Sequence, residues 1–186
     1  SLVFILIFIG AALVPLAIAI KRANGTNHMR LLGEELDVEV VGGEPYFSSV
    51  PWLSFIRKPT RISGDYRGDA LEAWHFTRGS GKNSSHYIGV RLNVENKRGL
   101  SFKFQKEGFL TKIGKTFGMQ DVRVGDERFD KTFIVKCSDA DFIRTALLPE
   151  IMEKFFDAFQ QHNAKGTIQL NGDELYYEER GRIGSQ

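Results

Sequence analysis

The spacing of apolar and polar residues changes along this chain, and each period predicts an element. Residues 2–20 (LVFILIFIGAALVPLAIAI) form an unbroken apolar run closed by Lys21-Arg22. At about 1.5 Å per residue, a helix of that length reaches about 28 Å, close to the hydrocarbon thickness of a bilayer, about 30 Å. Residues 29–36 have a brief helical spacing, and residues 37–41 alternate like a strand. Residues 61–68, 69–77 and 87–94 read as further strands, and the polar turn at 78–85 makes the last two a hairpin. In residues 99–106, Leu100, Phe102 and Phe104 alternate with Ser101, Lys103 and Gln105, the pattern of a strand with one dry face.

Periodicity then lengthens. Phe109, Ile113 and Phe117 lie four apart with Lys112 and Lys115 elsewhere on the turn, which predicts a short amphipathic helix with a basic wet side. Residues 120–124 and 131–137 read as strands joined by a loop at 125–130. Ser138 with Asp141 resembles a capping box opening a helix over 140–147. Pro149 either bends this helix or opens a second one at its first turn, and across Pro149–Gln161, Met152, Phe155, Phe156 and Phe159 form a wide apolar stripe that must cover a sheet, stopped by Gly166. Residues 167–170, the dipeptide Asn171-Gly172 and residues 174–178 predict a closing hairpin. The expected fold class is therefore α+β: one N-terminal transmembrane helix, then a mainly antiparallel sheet domain covered by an amphipathic helix. The expected divisions are an anchor at 1–22, a linker at 23–28, one domain at 29–178 and a tail at 179–186.

Two other readings compete with a membrane span for the opening run. A cleaved signal peptide carries its basic residues before the apolar core, whereas here they follow it. A buried helix of a soluble domain is usually shorter and more mixed in polarity. A membrane anchor is thus expected, represented by Leu2, Phe4, Ile7, Pro15, Ile20, Lys21 and Arg22. With Arg30, the cations after the run place the C-terminal side in the cytoplasm by the positive-inside rule.

Residues 44–60 hold three prolines among Tyr46, Phe47, Trp52 and Phe55, which excludes a regular element across them. That loop either folds over the domain's own core or lies at the headgroup level with Arg57 and Lys58. Trp52, Phe55, Arg57, Lys58, Phe109, Lys112 and Lys115 are the candidate interface residues.

Composition narrows the function classes. The 186 residues carry a formal net charge of +2, with cations and acids interspersed, which argues against a nucleic-acid protein. The single cysteine, Cys137, reads as a small residue ending a strand. A hairpin centred near Ser80-Gly81 sets His75 opposite His86, but no third ligand accompanies them, so no metal and no cofactor are expected. The GSGK of this turn fails as a phosphate loop, because the pattern requires glycine where Phe76 stands. Asp65, Asp69, Asp126 and Asp130 are acids in turn sequences, and solvation or Asx turns account for them better than catalysis.

Within residues 129–149, Phe129, Asp130, Phe133, Val135, Ser138, Asp139, Leu147 and Leu148 match a pattern of a Phe-Asp pair, a short apolar strand, a Ser-Asp or Asn-Asp helix start and a Leu-Leu-x-Pro-like break, with Pro149 here following Leu148 directly. This segment resembles an uncharacterised family of bacterial membrane-anchored proteins. The resemblance implies a tethered domain at the bacterial inner membrane and carries over no catalytic residue. The function expected from all this is a non-catalytic accessory or assembly subunit of a larger membrane complex, with a bioenergetic assembly as one candidate. Its expected partners are the bilayer and other membrane-protein subunits, with no nucleic acid and no small-molecule substrate. The alternatives are a peripheral module for anionic lipid surfaces and, third, an uncharacterised enzyme.

Overall fold

A computed structural model describes residues 13–14, 17–19, 30, 33–34, 38–41, 61–66, 68–108, 119–161 and 163–181. Among them, nine strands build one sheet: β1 (Glu39–Val41), β2 (Arg61–Tyr66), β3 (Asp69–Arg78), β4 (Ser85–Asn93), β5 (Phe102–Lys106), β6 (Gln120–Val122), β7 (Phe133–Cys137), β8 (Thr167–Asn171) and β9 (Glu174–Arg180). Their spatial order is β1-β2-β3-β4-β9-β8-β5-β7-β6, and every neighbouring pair is antiparallel. The β8–β9 hairpin, last in sequence, thus lies between the two earlier groups of strands and joins them.

Residues paired across strands share a face, and the register sorts the side chains into two sets. One row runs Ala73, Val90, Tyr177, Ile168, Phe104, Val135, Val122, and the next runs Leu71, Leu92, Leu175, Leu170, Phe102, Cys137. All thirteen residues of these two rows are buried. This dry face carries the helices α1 (Glu127–Thr132), α2 (Ala140–Ala146) and α3 (Pro149–Gln161). From α3, Phe155 stacks on Phe104 of β5 at 5.1 Å between ring centroids, while Phe156 and Phe159 meet Phe133 at 5.5 and 5.3 Å. The apolar stripe read from residues 149–161 therefore faces the strands whose alternation calls for a cover.

Local chemistry explains where the helices begin. The stretch 125–130, expected as a loop, opens α1 because the Asp126 carboxylate accepts from the Phe129 N–H at 2.7 Å and so caps it, and the helix continues through Thr132, two residues into the strand expected at 131–137. For α2 the cap is Asp139, which accepts from the Phe142 N–H at 2.9 Å. Ser138, expected as that cap, instead accepts a bond from the Ser101 N–H with its Oγ at 3.0 Å, tying β7 to the start of β5. In the closing hairpin Asn171 pairs with Glu174, so the turn is Gly172-Asp173, one residue later than the sequence suggested. β9 runs through Arg180 with Glu179 buried, two residues into the stretch expected as a tail.

The transmembrane part of the expected fold class is corrected by this structure. Among the described residues no helix is long and apolar enough to cross a membrane. Leu13, Val14, Ala17 and Ile18, from the apolar run, are at most 4% exposed and belong to the same core cluster as the sheet residues. The expected single-pass topology and inner-membrane location are overturned with it. The physical reason is that apolar surface leaves water as favourably against a protein core as against lipid, so an apolar run of this length does not choose between them.

One glycine is dictated by packing. A Cβ on Gly166 would stand 2.5 Å from the Tyr177 hydroxyl oxygen and closer still to the ring carbon bearing it. Tyr177 cannot retreat, being fully buried with its hydroxyl donating to the buried Glu179 carboxylate. Gly166→Ala is accordingly expected to cost about 1–3 kcal/mol through overpacking, measured by urea unfolding. A loss below about 0.5 kcal/mol would show that the ring has room.

Candidate functional site

The candidate residues named from sequence do not assemble into a described site. Leu2, Phe4, Ile7, Pro15, Ile20, Lys21 and Arg22 lie outside the described residues, as do Trp52, Phe55, Arg57, Lys58, Phe109, Lys112 and Lys115.

Most of the other chemical groups read from the sequence have structural partners. The β3–β4 register pairs His75 with Ile88 and Thr77 with His86, two residues off the expected His75–His86 pairing. The cause is a 3-10 turn at Gly81–Asn83, which moves the hairpin's centre toward the C-terminus. The two imidazoles become diagonal neighbours, stacked at 5.2 Å, and Thr77 Oγ1 lies 3.2 Å from His86 Nδ1. Asp65 accepts from the Gly68 N–H at 2.8 Å, and Asp130 accepts from the Val124 and Gly125 N–H groups at 2.9 and 3.1 Å. Together with the Asp126 cap, three of the four candidate acids are thus committed to backbone. Cys137 is fully buried, and burial pushes its thiol pKa up, the opposite of what a nucleophile requires.

What the fold does assemble lies on the second face of the sheet, opposite the helices. One row there runs Arg61, Trp74, Gly89, Glu178, Thr167, Gln105, Ile134, and the next runs Ser63, Glu72, Arg91, Tyr176, Gln169, Lys103, Lys136, Asp121. Phe76, Tyr87 and Arg180 begin a third row. Trp74, Phe76, Tyr87 and Tyr176 are each half-buried on this face. Trp74 stacks on Tyr176 at 5.9 Å, and Phe76 stacks on Tyr87 at 5.5 Å. Gly89 makes the first contact possible, since a Cβ there would approach the Tyr176 hydroxyl to 3.0 Å and the Trp74 ring to 3.2 Å. Such pairs contribute about 0.5–1.5 kcal/mol each beyond their buried area.

Two arginines fasten the rings. The Arg78 guanidinium stands 5.1 Å from the Phe76 centroid and 5.0 Å from that of Tyr87. It also grips Glu178 with both Nη atoms, one at 2.6 Å, and Glu178 accepts from the Tyr176 hydroxyl at 3.1 Å. Burial opposes the charge on Arg78, but the hydrogen bond and charge of Glu178 outweigh it and raise its pKa. Arg91 lies 5.7 Å from the Trp74 centroid and bonds to Glu72 at 2.6 Å and Glu174 at 2.9 Å, and the Glu72 bond chiefly raises its pKa. Burial, then the Glu178 carboxylate, drives the Tyr176 phenol pKa upward, so its hydroxyl stays protonated and able to donate.

The arrangement is a preorganised aromatic and guanidinium surface. Sequence reasoning passed over it, although a signal was present. In β3 the aromatic residues Trp74 and Phe76 fall in the phase of Glu72, opposite to the phase of Leu71 and Ala73. Rings in the wet phase of a strand mark a face with work other than filling the core.

No protein-family model matches this chain, and no curated protein matches it. Among solved structures, the crystal structure of the mycobacterial trehalose monomycolate transport factor A, TtfA, is similar to it, with a TM-score of 0.49 and 11% sequence identity over 83% of this chain and 79% of that one.

Proposed function

We propose that this chain is a non-catalytic accessory subunit that docks a protein partner on the second face of its sheet. The observation that carries the reading is the concentration there of Trp74, Tyr176, Phe76 and Tyr87 with Arg78 and Arg91, each ring braced by another ring or by a guanidinium. Trp, Tyr and Arg are the residues that dominate binding energy at protein interfaces, and bracing them in advance lowers the ordering cost of association. The committed roles of Asp65, Asp126, Asp130 and Cys137 leave these groups poorly suited to chemistry.

The test uses the full chain purified under gentle conditions from its natural source. The chain is expected to migrate with a stoichiometric protein partner. Trp74→Ala is expected to weaken that association by about 2 kcal/mol or more, the loss typical of a central interface tryptophan, while Glu153→Ala on α3 leaves it intact. A chain that migrates alone, or a Trp74→Ala variant that keeps its partner, would overturn the proposal.

A further inference from the structure

The second face ends in a pair of like charges. The register sets Lys103 of β5 directly opposite Lys136 of β7, with Gln169 of β8 opposite Lys103 on its other side. Ammonium groups facing each other across neighbouring strands repel, and a fold does not gain stability from placing them so. Lys136 has a partial answer in Asp121, whose Oδ1 is 3.3 Å away but whose side chain is 77% exposed. Among the described residues Lys103 has no ion-pair partner. Glu178, the acid whose charge acts on Lys103, is already held by Arg78 and by the Tyr176 hydroxyl.

Burial lowers the pKa of Lys103 first of all, Lys136 and Arg78 push the same way, and Glu178 opposes them. The locality is therefore partly dehydrated and holds three cations, Lys103, Lys136 and Arg78, against the Glu178 carboxylate, whose charge is the strongest single one felt at Lys103; an added anion gains more there than it would in open water. Geometry connects it to the aromatic patch. Tyr176, Gln169, Lys103 and Lys136 follow one another in a single row, so Tyr176 and Lys103 stand two strand spacings apart, about 10 Å. An extended peptide covers that distance in about three residues.

We infer that Lys103 and Lys136 form an anion subsite at the margin of the aromatic patch, and that it receives an acidic peptide segment of the docked partner. The carboxylate bridges the two ammonium groups, with the Gln169 amide beside them, and an apolar side chain about three residues away reaches Tyr176 and Trp74. This deepens the docking reading and rests on it.

The test measures binding of a fluorescent hexaglutamate peptide to the full chain by anisotropy, with hexaglutamine, inorganic phosphate and phosphatidylglycerol vesicles in parallel. Hexaglutamate is expected to bind and hexaglutamine not to. Lys103→Met is expected to weaken hexaglutamate about tenfold, as loss of a charged hydrogen bond does, with Lys136→Met smaller in effect and exposed Lys82→Met within twofold of wild type. Thermal melts guard against a merely structural effect, since Lys103→Met relieves repulsion and is expected to hold or raise the melting temperature. Unchanged hexaglutamate binding in Lys103→Met would overturn the inference, and so would phosphate or vesicles binding through Lys103 while the peptide does not. The two proposals fail separately. If Trp74→Ala releases the natural partner and Lys103→Met leaves peptide binding unchanged, docking stands and the acidic subsite falls. If the chain has no partner yet Lys103→Met weakens hexaglutamate, the lysine pair stands as an anion site, and docking falls together with the assignment of that site to a partner's segment.

Discussion

Phe155→Ala is expected to destabilise this protein by about 3–5 kcal/mol, the largest loss from any single side chain considered. Phe155 is fully buried, stacks on Phe104 at 5.1 Å and meets the edges of Phe129 at 6.1 Å and Phe133 at 6.3 Å. It thereby links α3 to β5, β7 and α1 in one contact group. Truncation removes the transfer free energy of the ring and leaves a cavity whose walls are other rigid rings, which collapse poorly into it. In a chain of this size the expected drop in melting temperature is roughly 6–20 °C. Phe142, on α2, is only partly buried, so Phe142→Ala serves as the internal comparison and is expected to lose less. Equal losses at the two positions, or less than about 1 kcal/mol at Phe155, would show that α3 is not the principal cover of the dry face.

Asn96→Ala is expected to cost about 2–4 kcal/mol, from several hydrogen bonds of about 1 kcal/mol each and the penalty for the groups left unpaired. Asn96 lies in the connection between β4 and β5 and is 8% exposed. Its Nδ2 donates to the Leu100 carbonyl at 2.9 Å and the Gly172 carbonyl at 2.6 Å, and its Oδ1 accepts from the Leu100 N–H at 3.1 Å. Its own N–H donates to Asp173 Oδ1 at 3.1 Å, so one residue ties the β4–β5 connection to the turn of the β8–β9 hairpin. Asn96→Asp is not expected to rescue stability, because a carboxylate has no hydrogen to offer the two carbonyls. Guanidinium unfolding of both variants checks this. Full stability in Asn96→Asp would mean that the donor side of the amide contributes little.

Local rules carry much of the element reading. The apolar face of α3 follows from the spacing of Met152, Phe155, Phe156 and Phe159, while its start at Pro149 is one of the two outcomes that a proline there allows. The dry phase of β5 follows from the alternation through Phe102 and Phe104, both buried. These succeed because the deciding interactions lie within a few residues. α1 was hidden because residues 127–132 (ERFDKT) show one buried position, Phe129, and no sustained period. Its cap, Asp126, becomes recognisable once Asp130 is seen folding the preceding backbone onto the helix. The β3–β4 register differs from the expected one because turn residues alone do not disclose how many of them the 3-10 turn consumes.

The second face was less legible, since its residues come from strands far apart in sequence. Arg78 and Glu178 are bonded across a hundred positions, and Lys103 meets Lys136 only because the β8–β9 hairpin and β7 flank β5. None of the four lies in a motif.

By itself, the sequence determined most of the extended stretches, which phase of β5 is dry and which face of α3 is apolar, because those outcomes depend on side-chain period and turn chemistry within a few residues. Only the tertiary structure decided that Leu13, Val14, Ala17 and Ile18 join a protein core, that Asn96 binds two connections together, and that four aromatic rings, two arginines and two facing lysines share one surface. The physical reason is that hydrophobicity states how strongly a segment leaves water but not what it leaves water for, and strand order is chosen by the packing of the whole sheet.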